Sequence, residues 1–120
     1  MIDPMNLLPN YKAARIDISK LKDYCLSKNH PTGKFKARVF YSALAMSSKN
    51  ADFLKSEILK GLFSFDSLEV GSTQYGKRYL VDMIIRNFDK DKRAEIRTVW
   101  IIPYDEENPK LISCYVKHIV

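Results

Sequence analysis

The sequence is poor in the residues from which many catalytic and metal-binding motifs are built. Its 120 residues include only two cysteines, Cys25 and Cys114, with four glycines, two histidines and one tryptophan. Two cysteines without a CxxC motif or a His/Cys cluster argue against a zinc site and favour reduced thiols. There is no glycine-rich phosphate loop, no HExxH and no Ser/His/Asp order typical of hydrolases. We therefore expect neither a metal nor a cofactor.

Long apolar runs are absent as well. None approaches the roughly 20 residues that cross a bilayer. The N-terminal stretch MIDPMNLLPN has an early acid and no apolar segment of the kind found in signal peptides. These absences predict a cytoplasmic protein without membrane contact. A length of 120 residues, 46% hydrophobic and 28% charged, predicts one globular domain over 1–120.

The charge is unbalanced towards the basic side. Twenty Lys and Arg against 14 Asp and Glu give a net charge of +6. Such an excess suits a polyanionic partner, either a nucleic acid or an acidic protein.

The first half of the chain has the periodicity of helices. Apolar spacing predicts helices over 20–26, 34–46 and 51–62, with Asp17 or Ser19 capping the first and Asn50 capping the third. A short strand over 12–16 is also expected. Residues 1–10 are interpreted as an arm that packs Leu7 and Leu8.

The second half changes to a period of two. Strands are predicted over 68–74, 77–86, 94–104 and 110–117, and their short connections imply antiparallel neighbours. The expected class is α+β, with N-terminal helices packed on one face of a C-terminal antiparallel sheet of about four strands.

The stretch HPTGKFKARVFYSALAM, residues 30–46, contains one residue that does not suit its position. On a helical wheel Phe35 and Val39 lie on a broad apolar face, and Lys36 falls within that face between Ala43 and Phe40. A lysine there must extend to solvent, pair, or lie in a cleft. We expect this helix to place Lys36 beside Arg97, with the His30 loop over the same cleft.

Cleavage of RNA by its own 2′-hydroxyl needs groups of this kind. It requires a base, an acid for the leaving oxygen and cations that stabilise the phosphorane. The candidate catalytic residues are His30, Lys36, Arg97, Thr98, Ser113 and Tyr115, and the candidate nucleic-acid contacts are Lys34, Lys77 and Arg78. Structural alternatives remain open: a loop histidine, a lysine at the helix edge, and an Arg97 that pairs with Glu95 or Asp82.

Five segments together resemble a known family. The segments LPN, NHPTGKFKARVF, YGKRYLVD, RTVWII and SCYV resemble a bacterial family of unknown function with the pattern HPxGxxKA…RTVW…TAY. The sequence departs from the pattern at Ser113, where threonine is usual, and at Val116, where proline is usual. The pattern otherwise falls on His30, Pro31, Gly33, Lys36, Ala37, Arg97, Thr98, Trp100 and Tyr115.

The resemblance implies a function. Members are similar to toxin domains of the barnase, EndoU, colicin and RelE-like ribonuclease group, encoded beside a small antitoxin-like partner. We therefore expect a toxin-like, metal-independent endoribonuclease of a toxin–antitoxin or polymorphic toxin system, acting on RNA and bound by a small acidic protein. The alternative is a non-catalytic basic module that binds a partner protein or nucleic acid.

Overall fold

A computed structural model describes residues 6–119 and contains three helices followed by four strands. Residues 1–5, which belong to the expected N-terminal arm, lie outside the described residues. The helices are α1 (Ile18–Lys20), which continues as a π-helical turn over Leu21–Cys25, α2 (Gly33–Leu44) and α3 (Ala51–Gly61). The strands are β1 (Ser67–Ser72), β2 (Gly76–Asn87), β3 (Lys92–Pro103) and β4 (Lys110–Ile119). None of the helices within residues 6–119 has the length and apolar character needed to cross a membrane.

Side chains fix the starts of the helices. Oδ1 of Asp17 accepts a hydrogen bond from the Ser19 backbone N–H at 3.0 Å, as expected for the N-cap of α1. Ser47 and Asn50 form a capping box around the 3-10 turn Ser48–Asn50 that precedes α3. Asn50 lies at the N-cap position of α3, as predicted, but its side chain makes no capping hydrogen bond to that helix. The end of α2 is equally well defined, because Ala45 takes a left-handed conformation with φ 54°. Its N–H donates back to the carbonyls of Phe40 and Tyr41.

The strands form one antiparallel sheet in the order β1-β2-β3-β4. The ladder between β2 and β3 is continuous from the pair Gly76–Pro103 to the pair Asn87–Lys92. The ladder between β3 and β4 has two irregularities, and one of them leaves Ile112 without a partner on β3. Such a bulge bends β4 and re-aims the side chains next to it. The α+β architecture expected from the sequence is confirmed.

The helices cover one face of this sheet, and the hydrophobic core lies between the two layers. Val81, Met83 and Ile85 of β2 meet Ile96 and Trp100 of β3 at this face, all of them at most 1% exposed. Between these positions, alternate residues of β2 and β3 point to the opposite face, because side chains of a strand alternate. Asp82 and Arg97 therefore lie on the open face of the sheet.

A segment ahead of α1 lies beside the outer edge of β4. The Arg15 N–H donates to the Pro109 carbonyl at 2.9 Å, and the Leu111 N–H donates to the Arg15 carbonyl at 3.0 Å. These bonds form an isolated parallel bridge between Arg15 and Lys110. The strand predicted over 12–16 was wrong: Tyr11–Ala13 is a 3-10 helix, whose local hydrogen bonds leave only Arg15 free to pair as a strand does.

The inner face of α2 is rotated from its predicted position. Phe35 and Val39, expected to be buried, are 58% and 41% exposed. The buried residues of α2 are Gly33, Ala37, Phe40, Ala43 and Leu44. The prediction included Phe35 and Val39 in the apolar face, whereas the buried face is centred on Phe40 and Leu44, with Gly33 and Ala37 beside them. Lys36 lies between buried Ala43 and Phe40 around the helix and is itself only partly buried.

Candidate functional site

Lys36 and His30 both contact the side chain of Tyr24. Nζ of Lys36 donates a hydrogen bond to the Tyr24 hydroxyl at 2.6 Å and lies 4.6 Å from the centre of its ring. The His30 ring packs edge-on against the same ring, with centroids 4.7 Å apart. We call Tyr24, His30 and Lys36 the tyrosine cluster. All three side chains are partly buried, so a cation and two groups able to exchange protons share one site at the surface.

The position of His30 is set by α2. Its Nδ1 accepts hydrogen bonds from the backbone N–H groups of Gly33, at 2.9 Å, and Thr32, at 3.1 Å. The ring thus caps the first turn of the helix. An Nδ1 that accepts these bonds has its lone pair engaged, so in the neutral ring the proton lies on Nε2. His30 can then donate a hydrogen bond through Nε2 without disturbing the cap.

Gly33 permits the close contact between α2 and the π-helical turn. A Cβ at this position would overlap the carbonyl oxygen of Tyr24 and lie 2.9 Å from Cδ1 of its ring. A glycine is therefore needed for α2 to begin against the turn that carries Tyr24. The segment His30 to Gly33 works as one unit: the histidine caps the helix and the glycine allows the helix to approach.

Two buried thiols, Cys25 and Cys114, lie beside the tyrosine cluster. Sγ of Cys25 accepts a hydrogen bond from the Cys114 N–H at 3.4 Å and lies 3.8 Å from Oγ of Ser113. A hydrogen bond from the Cys114 thiol, helped by Ser113 and the charge of Lys36, lowers the pKa of Cys25 to about 7. The same hydrogen bond, together with burial, raises the pKa of Cys114. The negative charge of the pair therefore develops on Cys25. Both cysteines are free thiols in the structure, as expected.

A second group of charges lies on the open face of the sheet. Nε and Nη2 of Arg97 each donate to an Asp82 carboxylate oxygen at 2.9 Å, and Nζ of Lys117 donates to Oδ2 at 2.9 Å. Tyr115 is opposite Arg97 in the β3–β4 register. We call Asp82, Arg97, Tyr115 and Lys117 the sheet-face group. Hydrogen bonds from Arg97 lower the pKa of Asp82, and the carboxylate raises the pKa of Arg97. One carboxylate compensates one of the two cations, so the group keeps a positive charge.

Thr98 is part of the core. It is fully buried, and its hydroxyl accepts a hydrogen bond from Nε1 of Trp100 at 2.7 Å and donates one to the Val81 carbonyl at 2.7 Å. Both hydrogen bonds of this hydroxyl lie inside the protein, so Thr98 holds Trp100 in place and does not reach the surface.

The three candidate nucleic-acid contacts lie on different elements. Lys34 is exposed on α2, 5.3 Å from the centre of the Phe35 ring. Lys77 is exposed on β2, 3.7 Å from a carboxylate oxygen of Glu69. Arg78 is partly buried on β2, and its Nε is buried without a hydrogen-bond partner among the described residues.

The contacts assign the candidate catalytic residues to three places. His30, Lys36 and Ser113 gather around the π-helical turn, Arg97 and Tyr115 lie on the open sheet face, and Thr98 lies in the core. No hydrogen bond or ion pair within residues 6–119 joins the first two groups. The alternative that Arg97 pairs with Asp82 is what the structure contains. Within the described part of the chain, no group of three or more His, Cys, Asp or Glu is placed to hold a metal ion.

Sequence reasoning missed Tyr24. Nothing in the sequence relates it to Lys36, because the two are brought together by the packing of α2 on the π-helical turn. The sequence does indicate that Lys34, Arg38 and Tyr41 share the outer side of α2, because they have the i, i+4, i+7 spacing of one helix face.

The fold and its basic groups define a small α+β domain with helices on one face of a four-stranded antiparallel sheet. The family described as "Domain of unknown function (DUF6883)" matches residues 7–118. The chain belongs to this family, as its resemblance to a family of unknown function led us to expect. No curated protein and no solved structure matches this chain.

Proposed function

We propose that this protein is a metal-independent endoribonuclease of a bacterial toxin–antitoxin or polymorphic toxin system, with its reaction centre at the tyrosine cluster. The observation that carries the proposal is that His30 and Lys36 both contact the side chain of Tyr24. The reaction is attack of a ribose 2′-hydroxyl on the adjacent phosphate, with departure of the 5′-oxygen. It leaves a 2′,3′-cyclic phosphate and needs only proton transfer and charge stabilisation.

The roles follow from the contacts. The ammonium group of Lys36 stabilises the negative phosphorane. The Tyr24 hydroxyl accepts from Lys36, so its own proton is free to be donated to a phosphate oxygen. His30 donates a hydrogen bond from Nε2–H to a phosphate oxygen, because its Nδ1 is held by the helix. The Tyr24 hydroxyl gives its proton to the departing 5′-oxygen, the proton of the 2′-hydroxyl passes to water, and solvent then reprotonates Tyr24. Arg97 and Tyr115 of the sheet-face group serve as a second contact for the RNA backbone, with Lys117 beside them.

An acidic partner fits the same proposal. The protein carries a net charge of +6, and a small acidic antitoxin-like protein would be attracted to its basic surface over a long range. Co-expression tests this part: the growth defect caused by the protein should be relieved by the product of a neighbouring gene.

The test of the activity uses single-stranded RNA in a chelating buffer. Wild-type protein is expected to produce fragments ending in 2′,3′-cyclic phosphate. Lys36→Ala, Tyr24→Phe and His30→Ala are each expected to reduce the rate by about 100-fold or more. The matched controls are His118→Ala and Lys22→Ala, at exposed positions outside the cluster. Unfolding monitored by tryptophan fluorescence checks that each variant is folded. Intact RNA at high wild-type concentration, or equal losses in the controls, would refute the proposal.

A second function is favoured by a specific observation. Arg97 is already engaged by the Asp82 carboxylate through two hydrogen bonds, and Nδ1 of His30 is engaged by the helix. Groups satisfied within the protein suit a non-catalytic basic module that binds nucleic acid or an acidic protein. The same assay separates the two functions, since a module would bind the RNA and leave it uncut.

A further inference from the structure

A concave basic surface lies on the outer side of α2, next to the tyrosine cluster. It encloses about 660 Å³ between the loop that follows the π-helical turn, α2 and the segment before α3. We call this the basic cavity. Four cations line it: Lys28, Lys34, Arg38 and Lys49. No Asp or Glu is among the described residues that line it, although the chain as a whole has 14 acidic for 20 basic residues.

The composition of the lining indicates a phosphate-bearing ligand. Four exposed cations without a carboxylate give a positive potential that is not compensated locally. The hydroxyl of Ser47 and the amide of Asn29 in the lining add neutral donors for phosphate oxygens or base edges. The volume is within the range of pockets that hold small molecules of nucleotide size.

An aromatic ring completes the cavity. Tyr41 belongs to the lining and is 66% exposed, so its ring is accessible from the cavity and is not part of the core. An exposed ring beside cations is the arrangement by which proteins bind single-stranded nucleic acids, with the backbone on the charges and a base on the ring. Lys34, Arg38 and Tyr41 lie along one side of α2, so charge and ring follow each other along about 10 Å of helix.

The geometry points to the basic cavity as the binding site for single-stranded RNA, with phosphates on Lys34 and Arg38 and one base stacked on Tyr41. This inference rests on the proposed function and names where its substrate is held. The cavity and the tyrosine cluster are joined by one loop: Asn29 lines the cavity, and His30, the next residue, packs on Tyr24. An RNA strand that is bound in the basic cavity therefore extends past this loop to the tyrosine cluster.

The test separates binding from cleavage. The probe is a fluorescent 2′-O-methyl RNA of about eight nucleotides, a usual site size for single-strand binders. It lacks the 2′-hydroxyl needed for cleavage, and its affinity is measured by anisotropy over a series of salt concentrations. The variants are the double variant Lys34→Ala/Arg38→Ala and the single variant Tyr41→Leu. The matched control is Lys20→Ala/Lys55→Ala, which removes the same charge from another cavity that includes Asp17.

Each contact of a cation with a single-stranded phosphate contributes about 0.7 to the slope of log affinity against log salt, so the double variant should reduce the slope by about 1.4. Tyr41→Leu should weaken binding at least about fivefold with an unchanged slope, because stacking does not depend on charge. The control should leave the slope as in wild type. An unchanged slope in the double variant, or an equal reduction in the control, would overturn the inference.

Failure of the inference is distinguishable from failure of the proposed function. If wild-type protein binds the 2′-O-methyl probe through these residues but leaves unmodified RNA intact, the site stands and the ribonuclease proposal fails. If unmodified RNA is cleaved while the double variant binds the probe as tightly as wild type, the ribonuclease stands and the site is refuted.

Discussion

Replacing Thr98 with valine tests whether this residue supports the core. Valine has nearly the same shape but no hydroxyl, so the substitution removes both hydrogen bonds at 2.7 Å and creates no cavity. The indole N–H of fully buried Trp100 would lose its partner. A buried donor left without a partner costs about 1–3 kcal/mol. We therefore expect the free energy of unfolding to fall by about 2 kcal/mol.

The assay follows directly from the sequence, since Trp100 is the only tryptophan and reports on its own environment. Urea unfolding monitored by its fluorescence should show a lower midpoint with the same slope, which indicates a change in stability alone. In a thermal scan the loss corresponds to a decrease of roughly 8 °C in Tm for a chain of this size.

Thr98→Ser is the matched control because it keeps the hydroxyl and removes only a methyl group. It should lose less than the valine variant, about 1 kcal/mol for the deleted methyl group. If Thr98→Val is as stable as wild type, or if serine is the worse substitution, the hydrogen-bonded chain from Trp100 to Val81 does not support the core.

Three further predictions concern the other groups. Gly33→Ala should lower the free energy of unfolding by about 1–3 kcal/mol, because its Cβ overlaps the Tyr24 carbonyl; an unchanged urea midpoint would contradict this. Arg97 lowers the pKa of Asp82 below its ordinary 3.8, so its stabilisation is present above that pH and is lost as the pH falls through the lower folded-state value. Asp82→Asn should therefore be less sensitive to acid than wild type in urea titrations, and equal sensitivity would count against the ion pair. Thiolate absorbance should titrate with a midpoint of about 7 and lose that step in Cys25→Ser; a midpoint near 9, the ordinary value, would show that the thiol is not perturbed.

The sheet was predictable because its signal is local. Alternation along 77–86 predicts that Tyr79, Val81, Met83 and Ile85 share one face. In the structure Val81, Met83 and Ile85 are buried and Tyr79 is partly buried. The ends of β2 and β3 came within two residues of prediction, since charged turns with few β-forming residues separate the runs. The alternation of residues within a strand shows which of them share a face, whatever element packs against it.

The site was less predictable because it depends on packing between elements. The position of Lys36 on the inner side of α2 followed from the wheel, but its partner Tyr24 did not. The large apolar residues Phe35 and Val39 suggested the wrong centre for the buried face, since the helix packs through Gly33, Phe40 and Leu44 instead. The face on which Arg97 lies also required the three-dimensional structure: sequence alternation assigns a residue to one of two faces, but does not say which of the two the helices cover.

The contacts along β4 have a consequence for how other proteins can associate with this one. An edge strand ordinarily exposes backbone groups to which a strand of another chain can be added. Here the Cys114 N–H already donates to the Cys25 sulfur. The Leu111 N–H donates to the Arg15 carbonyl, and the Pro109 carbonyl accepts from the Arg15 N–H. An inhibitor that extended the sheet at this edge would have to detach both segments first. A protein partner is therefore not expected to add a strand at residues 109–114, and the sheet is protected there from joining edge to edge with a second copy.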